Sequence, residues 1–130
     1  MMTPFWQSRK STTIGQQAEQ QALNFLQQQG LKLVARNYRC RQGEIDLIMN
    51  DQQTLVFVEV RYRKTQHYGS SAESVTTTKQ KKIIHTAEHY LLHKVATQTP
   101  ACRFDVVAIY PSGETQNSLQ FDWIKHAFEN

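Results

Sequence analysis

The spacing of hydrophobic positions switches from helical to alternating and back along the chain, and these switches predict its elements. Between Thr13 and Gln29, Ala18, Ala22, Phe25 and Leu26 fall at helical intervals, with Thr12 or Thr13 as cap and Gly30 as stop. Leu31–Arg39 reads as a strand, less cleanly alternating than the two that follow. Gly43–Arg63 (GEIDLIMNDQQTLVFVEVRYR) reads as a β-hairpin around a four-residue turn, Asn50-Asp51-Gln52-Gln53, because Asn and Asp bond their own backbone. Lys64–Ser74 is a polar loop. Val75–Ala96 is a second helix, with Ile83, Ala87, Tyr90 and Leu91 as its apolar stripe. Cys102–Tyr110 is a strand, Pro111–Ser118 a turn, and Leu119–Ile124 a last short strand. The order α-β-β-β-α-β with a short tail predicts an α/β fold with helices against a central sheet.

Alternation in the hairpin puts Ile45, Leu47 and Met49 on one face with Val56, Val58, Val60 and Tyr62. The opposite face then carries Glu44, Asp46 and Ile48 with Leu55, Phe57, Glu59 and Arg61. With the assumed turn, Met49 pairs with Thr54, and Asp46 and Glu59 become diagonal neighbours roughly 7–8 Å apart. Three carboxylates and a guanidinium on one sheet face suit a Mg²⁺ or Mn²⁺ site, since a hard cation needs only one or two carboxylates plus substrate phosphate and water. Asp46 and Glu59 are the candidate ligands and Arg61 the candidate phosphate-binding cation. Glu19, at the border of the first helix's apolar stripe, is a possible third carboxylate. The competing view is a solvated face with cross-strand Glu–Arg pairing, worth under about 1 kcal/mol.

Composition adds less. At 130 residues the chain is most simply one domain (13–130) behind a loose arm (1–12). No apolar run is long enough for a membrane span, and the N-terminus has no secretory h-region. Cys40 and Cys102 lack metal-ligand spacing, and reduced thiols in a cytoplasm are the simplest expectation. The net charge of +4 favours a polyanionic partner mildly. Arg36, Arg39, Arg41, Arg63, Lys64, Lys79 and Lys82 are the candidate phosphate-backbone contacts, with a solvated basic surface as the alternative. His85, His89 and His93 recur every four residues, and HTAEH matches a short zinc-protease pattern. With no further ligand evident, a solvated histidine stripe is the simpler expectation. Arg103 and Asp105 share a strand face and suit a salt bridge, with a supporting role near the site as the alternative.

Gly15, Ala18-Glu19 and Ala22, then Arg36-Asn37-Tyr38-Arg39, Gly43–Ile48, Val56–Arg61 and Arg103–Val107, together resemble the YraN-like uncharacterised bacterial protein family over about Gly15–Tyr110. That family resembles the PD-(D/E)xK nuclease superfamily and, within it, archaeal Holliday junction resolvases. The resemblance implies a restriction-endonuclease-like core with a central mixed β-sheet flanked by helices. It implies metal ligation by Asp46, Glu59 and the Val60 carbonyl, with Glu19 as the helix glutamate. It also implies a homodimer acting on DNA more readily than RNA. Arg61 departs from the pattern by standing where the family motif has lysine; arginine stays protonated and cannot serve as a general base. Three functions therefore compete: a Mg²⁺-dependent nuclease, a non-catalytic nucleic-acid-binding module on the same fold, and a protein-interaction scaffold. The scaffold would dock through Phe5 and Trp6, or through Phe121, Trp123 and Phe128, if these are exposed.

Overall fold

The computed structural model describes residues 11–63, 75–95, 98–112 and 118–129. The elements are α1 (Ser11–Gln28), β1 (Lys32–Cys40), β2 (Gly43–Asp51), β3 (Thr54–Tyr62), α2 (Thr77–Lys94), β4 (Ala101–Pro111) and β5 (Leu119–Phe128). The five strands form one sheet in sequence order. All neighbours are antiparallel except β3 and β4, which run parallel because α2 carries the chain across between them. This mixed sheet between two helices fits a restriction-endonuclease-like core. Residues 1–10 of the expected arm, including Phe5 and Trp6, and the loop 64–74 lie outside the described residues.

Each helix covers one face of the sheet. Ala18, Ala22, Leu23 and Leu26 of α1 pack on Leu47, Met49, Val56, Val58, Val107 and Ile109. Ile83, Ile84, Ala87 and Tyr90 of α2 pack on Ile45, Ile48, Leu55, Phe57 and Val106. The central strands therefore read as runs of buried residues, as expected of a sheet covered on both sides. The anticipated split into a greasy face and a charged face does not hold, because the charges gather at one end of the hairpin.

Local signals explain the helix ends. Gly30, at φ 98°, closes α1 with Leu31 N–H to Leu26 O (3.1 Å) and Gly30 N–H to Gln27 O (3.0 Å), the pattern of a left-handed C-terminal cap. Thr76 caps α2 by accepting from Lys79 N–H. The last strand runs on to Phe128, past the expected Ile124. Its aromatic residues face inward: Phe121 stacks on Phe25 at 4.6 Å, Trp123 meets Phe25 edge-on, and Phe128 stacks on Phe104. Phe128 is thereby buried, while Phe121 and Trp123 are half-buried against the α1 layer.

The hairpin turn is shorter than expected. Asp51 pairs with Thr54, so only Gln52 and Gln53 lie between the strands, with Gln52 at φ 58°. The pairing is shifted by two residues from the expected register, and Met49 faces Val56 rather than Thr54. Ile45 also leaves the face of Leu47 and Met49 and joins the α2 layer. Alternation thus breaks at Asp46, opposite the point where Asn37 of β1 takes φ 51°.

Candidate active site

The β2–β3 ladder runs from Asp51↔Thr54 to Leu47↔Val58 and ends there. One step further the same register sets Asp46 directly opposite Glu59. The Asp46 carboxylate accepts from Val60 N–H at 2.8 Å, so the side chain takes over where the strand ladder stops. Glu59 is 5% exposed and is met by two cations, Lys79 Nζ from α2 at 3.5 Å and Arg61 Nη1 from its own strand at 3.7 Å. The two carboxylates are within hydrogen-bond reach of each other, closer than the expected diagonal placement.

The electrostatics follow from this crowding. Burial lifts the Asp46 carboxyl well above its ordinary value of 3.8, and repulsion from Glu59 adds to the shift. The Val60 N–H opposes it, while Glu19 and Glu44 add smaller pushes upward. Burial also raises Glu59, but less, because Lys79 and Arg61 stabilise its charged form and a hydrogen bond links it to Asp46. Burial and mutual repulsion therefore disfavour the charged form of both carboxylates, Asp46 above all.

The donor set fits a hard divalent cation. Two adjacent acidic side chains, one short of charge compensation, are what such an ion would neutralise, with water and substrate oxygens filling the remaining positions. Among the described residues no three His, Cys, Asp or Glu side chains converge to hold a metal, so Glu19 and Glu44 stand back from the pair. Asn37 Nδ2 donates to Glu19 at 2.9 Å and lies 3.5 Å from Glu44, and Arg39 binds Glu44 at 3.0 Å.

Of the other predicted residues, Lys79 lies at the acidic pair as a partner of Glu59. Arg36 instead reaches Gln20 of α1 at 3.1 Å. Arg39 is taken up by Glu44 on the exposed edge strand. Arg41 is exposed in the β1–β2 turn and Lys82 is exposed on α2. The β1–β2 turn packs against α2 beside Lys82, because a Cβ at Gly43 would lie 3.4 Å from Lys82 Cβ and 3.2 Å from Thr86 Oγ1. Arg63 is partly buried and its N–H bonds Ile109 O. Lys64 is outside the described residues. Among the described residues the histidines form no metal cluster: His89 Nδ1 meets Tyr38 Oη at 2.6 Å, His93 stacks on His89, and His85 approaches Glu88. Cys40 and Cys102 are free thiols. No helix among the described residues is long and apolar enough to cross a membrane.

Sequence comparison agrees with the extent of this core. The model of the uncharacterised protein family UPF0102 matches residues 18–109, from α1 into β4. The chain belongs to this family. A UPF0102 protein of Psychromonas ingrahamii is 50% identical over 119 residues, 92% of each chain. One of Alcanivorax borkumensis is 46% identical over 125 residues, 96% of this chain and 97% of the relative. One of Pseudomonas syringae is 47% identical over 116 residues, 89% and 93% respectively. The matched segment contains Glu19, Asn37, Asp46, Glu59, Arg61 and Lys79, so every residue of the candidate site lies within the family's common region.

Proposed function

We propose that this protein is a divalent-metal-dependent phosphodiesterase acting on nucleic acid, DNA in preference to RNA, with branched DNA as the substrate class. The observation that carries the proposal is the opposed pair Asp46 and Glu59, shut into the end of the hairpin with Lys79 and Arg61 on Glu59. A protein gains no stability by crowding two buried acids, so a ligand that relieves the crowding gives the arrangement a purpose. The order of elements and the motif residues also resemble the PD-(D/E)xK nucleases.

Asp46, Glu59 and the Val60 carbonyl would hold Mg²⁺ or Mn²⁺, with the Val60 N–H fixing the Asp46 carboxylate in orientation. When bound, the ion would polarise a phosphodiester and lower the pKa of an attacking water. Arg61 stays charged at every working pH and would bind the phosphoryl oxygens as negative charge grows on them. Lys79 supplies a second cation on the same side, and Lys82 and Arg41 extend positive charge toward the β1–β2 turn for the nucleic-acid backbone.

One observation favours a second function. Arg61 removes the one cation on β3 that could exchange a proton, which suits a nuclease-like module that binds nucleic acid without cutting it. Titration of Mn²⁺ into the wild type and Asp46→Ala, with both folds checked by circular dichroism, tests the metal site without a guess at substrate. Binding in the wild type that is lost in Asp46→Ala is expected. Equal binding in both, or none in either, would overturn the metal-dependent assignment and leave salt-sensitive nucleic-acid binding to be measured instead.

A further inference from the structure

Two consecutive residues of β1 grip two consecutive residues of α1. Arg36 Nη1 donates to Gln20 Oε1 at 3.1 Å, and Asn37 Nδ2 donates to Glu19 Oε1 at 2.9 Å. In a regular strand, neighbouring side chains point to opposite faces, so both could not reach the same helix. The left-handed conformation of Asn37 (φ 51°) breaks that alternation, and asparagine is among the few side chains that tolerate it.

The contact has a second feature. In the β1–β2 register Arg36 faces Leu47 and Tyr38 faces Ile45, so Asn37 lies across from Asp46. Its amide donates toward two carboxylates, Glu19 on α1 and, more distantly, Glu44 on β2. Glu44 has Arg39 as a partner, whereas Asn37 is the only hydrogen-bond donor to Glu19 among the described contacts. Like-charge repulsion between Glu19 and Asp46 would otherwise favour turning Glu19 outward into solvent.

We propose that Asn37 is a positioning residue whose amide holds Glu19 in place as the third, outer carboxylate of the metal site, near enough to bind an ion's water but not the ion itself. This rests on the metal-dependent function proposed above. It accounts for a glutamate that approaches the acidic pair without converging on it, and for a left-handed residue in an edge strand at that point.

The test is a double-mutant cycle read by Mn²⁺ affinity in the full chain. Asn37→Gly removes the amide while keeping the left-handed backbone at little steric cost, so folding is preserved where Asn37→Ala would strain it. Removing an outer-shell partner of a metal site typically weakens binding by about tenfold or more. Asn37→Gly is expected to weaken Mn²⁺ about tenfold, Glu19→Gln by a similar factor, and the double variant no further than either alone. Asn37→Asp, which also tolerates the backbone but repels Glu19, is expected to weaken binding at least as much. Wild-type affinity in Asn37→Gly, or effects that multiply in the double variant, would overturn the proposal while leaving the metal site intact. A wild type that binds no Mn²⁺ would instead overturn the metal-dependent function, and this role with it.

Discussion

Replacing Asp105 with alanine is expected to destabilise the protein more than any change at the acidic pair. Asp105 is fully buried and accepts from Arg103 Nε at 3.0 and 3.2 Å, Trp123 Nε1 at 2.9 Å and the His126 N–H at 2.9 Å. The carboxylate bridges β4 to β5 where the register shifts between Phe104 and Val106, so it stands in for a missing ladder bond. Alanine would leave a guanidinium and two neutral donors short of partners. Each stranded neutral donor costs about 1–3 kcal/mol. Breaking a buried ion pair on one side costs about 3–5 kcal/mol, and because the losses share one group they do not simply add. Arg103 keeps Asp51 at 3.0 Å, which holds the total near about 4 kcal/mol rather than above it. For a domain of this size that amounts to a fall in Tm of roughly 10–20 °C. Urea unfolding followed by circular dichroism and tryptophan fluorescence measures it directly, with an unchanged m-value to show that the unfolded state is comparable. The Asp51→Ala variant, which removes only the more exposed arm of the network, is expected to lose less. A loss below about 1 kcal/mol in Asp105→Ala would refute the assignment of Asp105 as the structural carboxylate of the sheet.

Asp46→Asn is expected to act in the opposite direction. The folded state raises the Asp46 pKa, so the native protein binds more protons than the unfolded chain above about pH 3.8, and stability falls as pH rises through the folded value. Asparagine keeps an acceptor for Val60 N–H and cannot ionise, so stability should rise at neutral pH and the pH slope should flatten; an unchanged slope in urea titrations from pH 4 to 8 would count against the raised Asp46 pKa. The same upward shift predicts that Mn²⁺ binding releases protons, seen as buffer-dependent heats in calorimetry, and heats independent of the buffer would contradict it. Gly43→Ala should destabilise by about 1–2 kcal/mol, because the new methyl group presses on Thr86 Oγ1 and Lys82 Cβ; an unaltered Tm would mean that the β1–β2 turn yields easily.

Much of the fold was legible because both helices and the central strands carry strong periodicity, as with Ala18, Ala22 and Leu26 or the run Val56–Val60. The hairpin register was not. Asn50-Asp51 looks like turn chemistry, yet Asp51 extends the strand and binds Arg103, while Gln52 takes the positive φ that glycine or asparagine usually supplies. The residues of the site were legible as types, since Asp46, Glu59 and Arg61 stand out from the apolar run around them. Their geometry was not, because it depends on that two-residue shift and on a strand ladder that stops at Leu47. Lys79 was legible only as one of several lysines, and its place beside Glu59 follows from how α2 crosses the sheet. Asn37 gave a faint signal, an asparagine amid strand residues, but its contact with Glu19 spans 18 positions and needs the packing of α1 on β1.

Phosphodiester cleavage itself remains the most direct measurement: an end-labelled four-way DNA junction incubated with Mn²⁺ and the wild type, Asp46→Ala or Glu59→Ala. Strand nicking by the wild type that is absent from both variants and from metal-free reactions is expected. Equal nicking by Asp46→Ala would place the activity elsewhere. An intact junction, with Mn²⁺ bound and DNA retained, would contradict catalysis and leave a nuclease-like fold that binds without cutting.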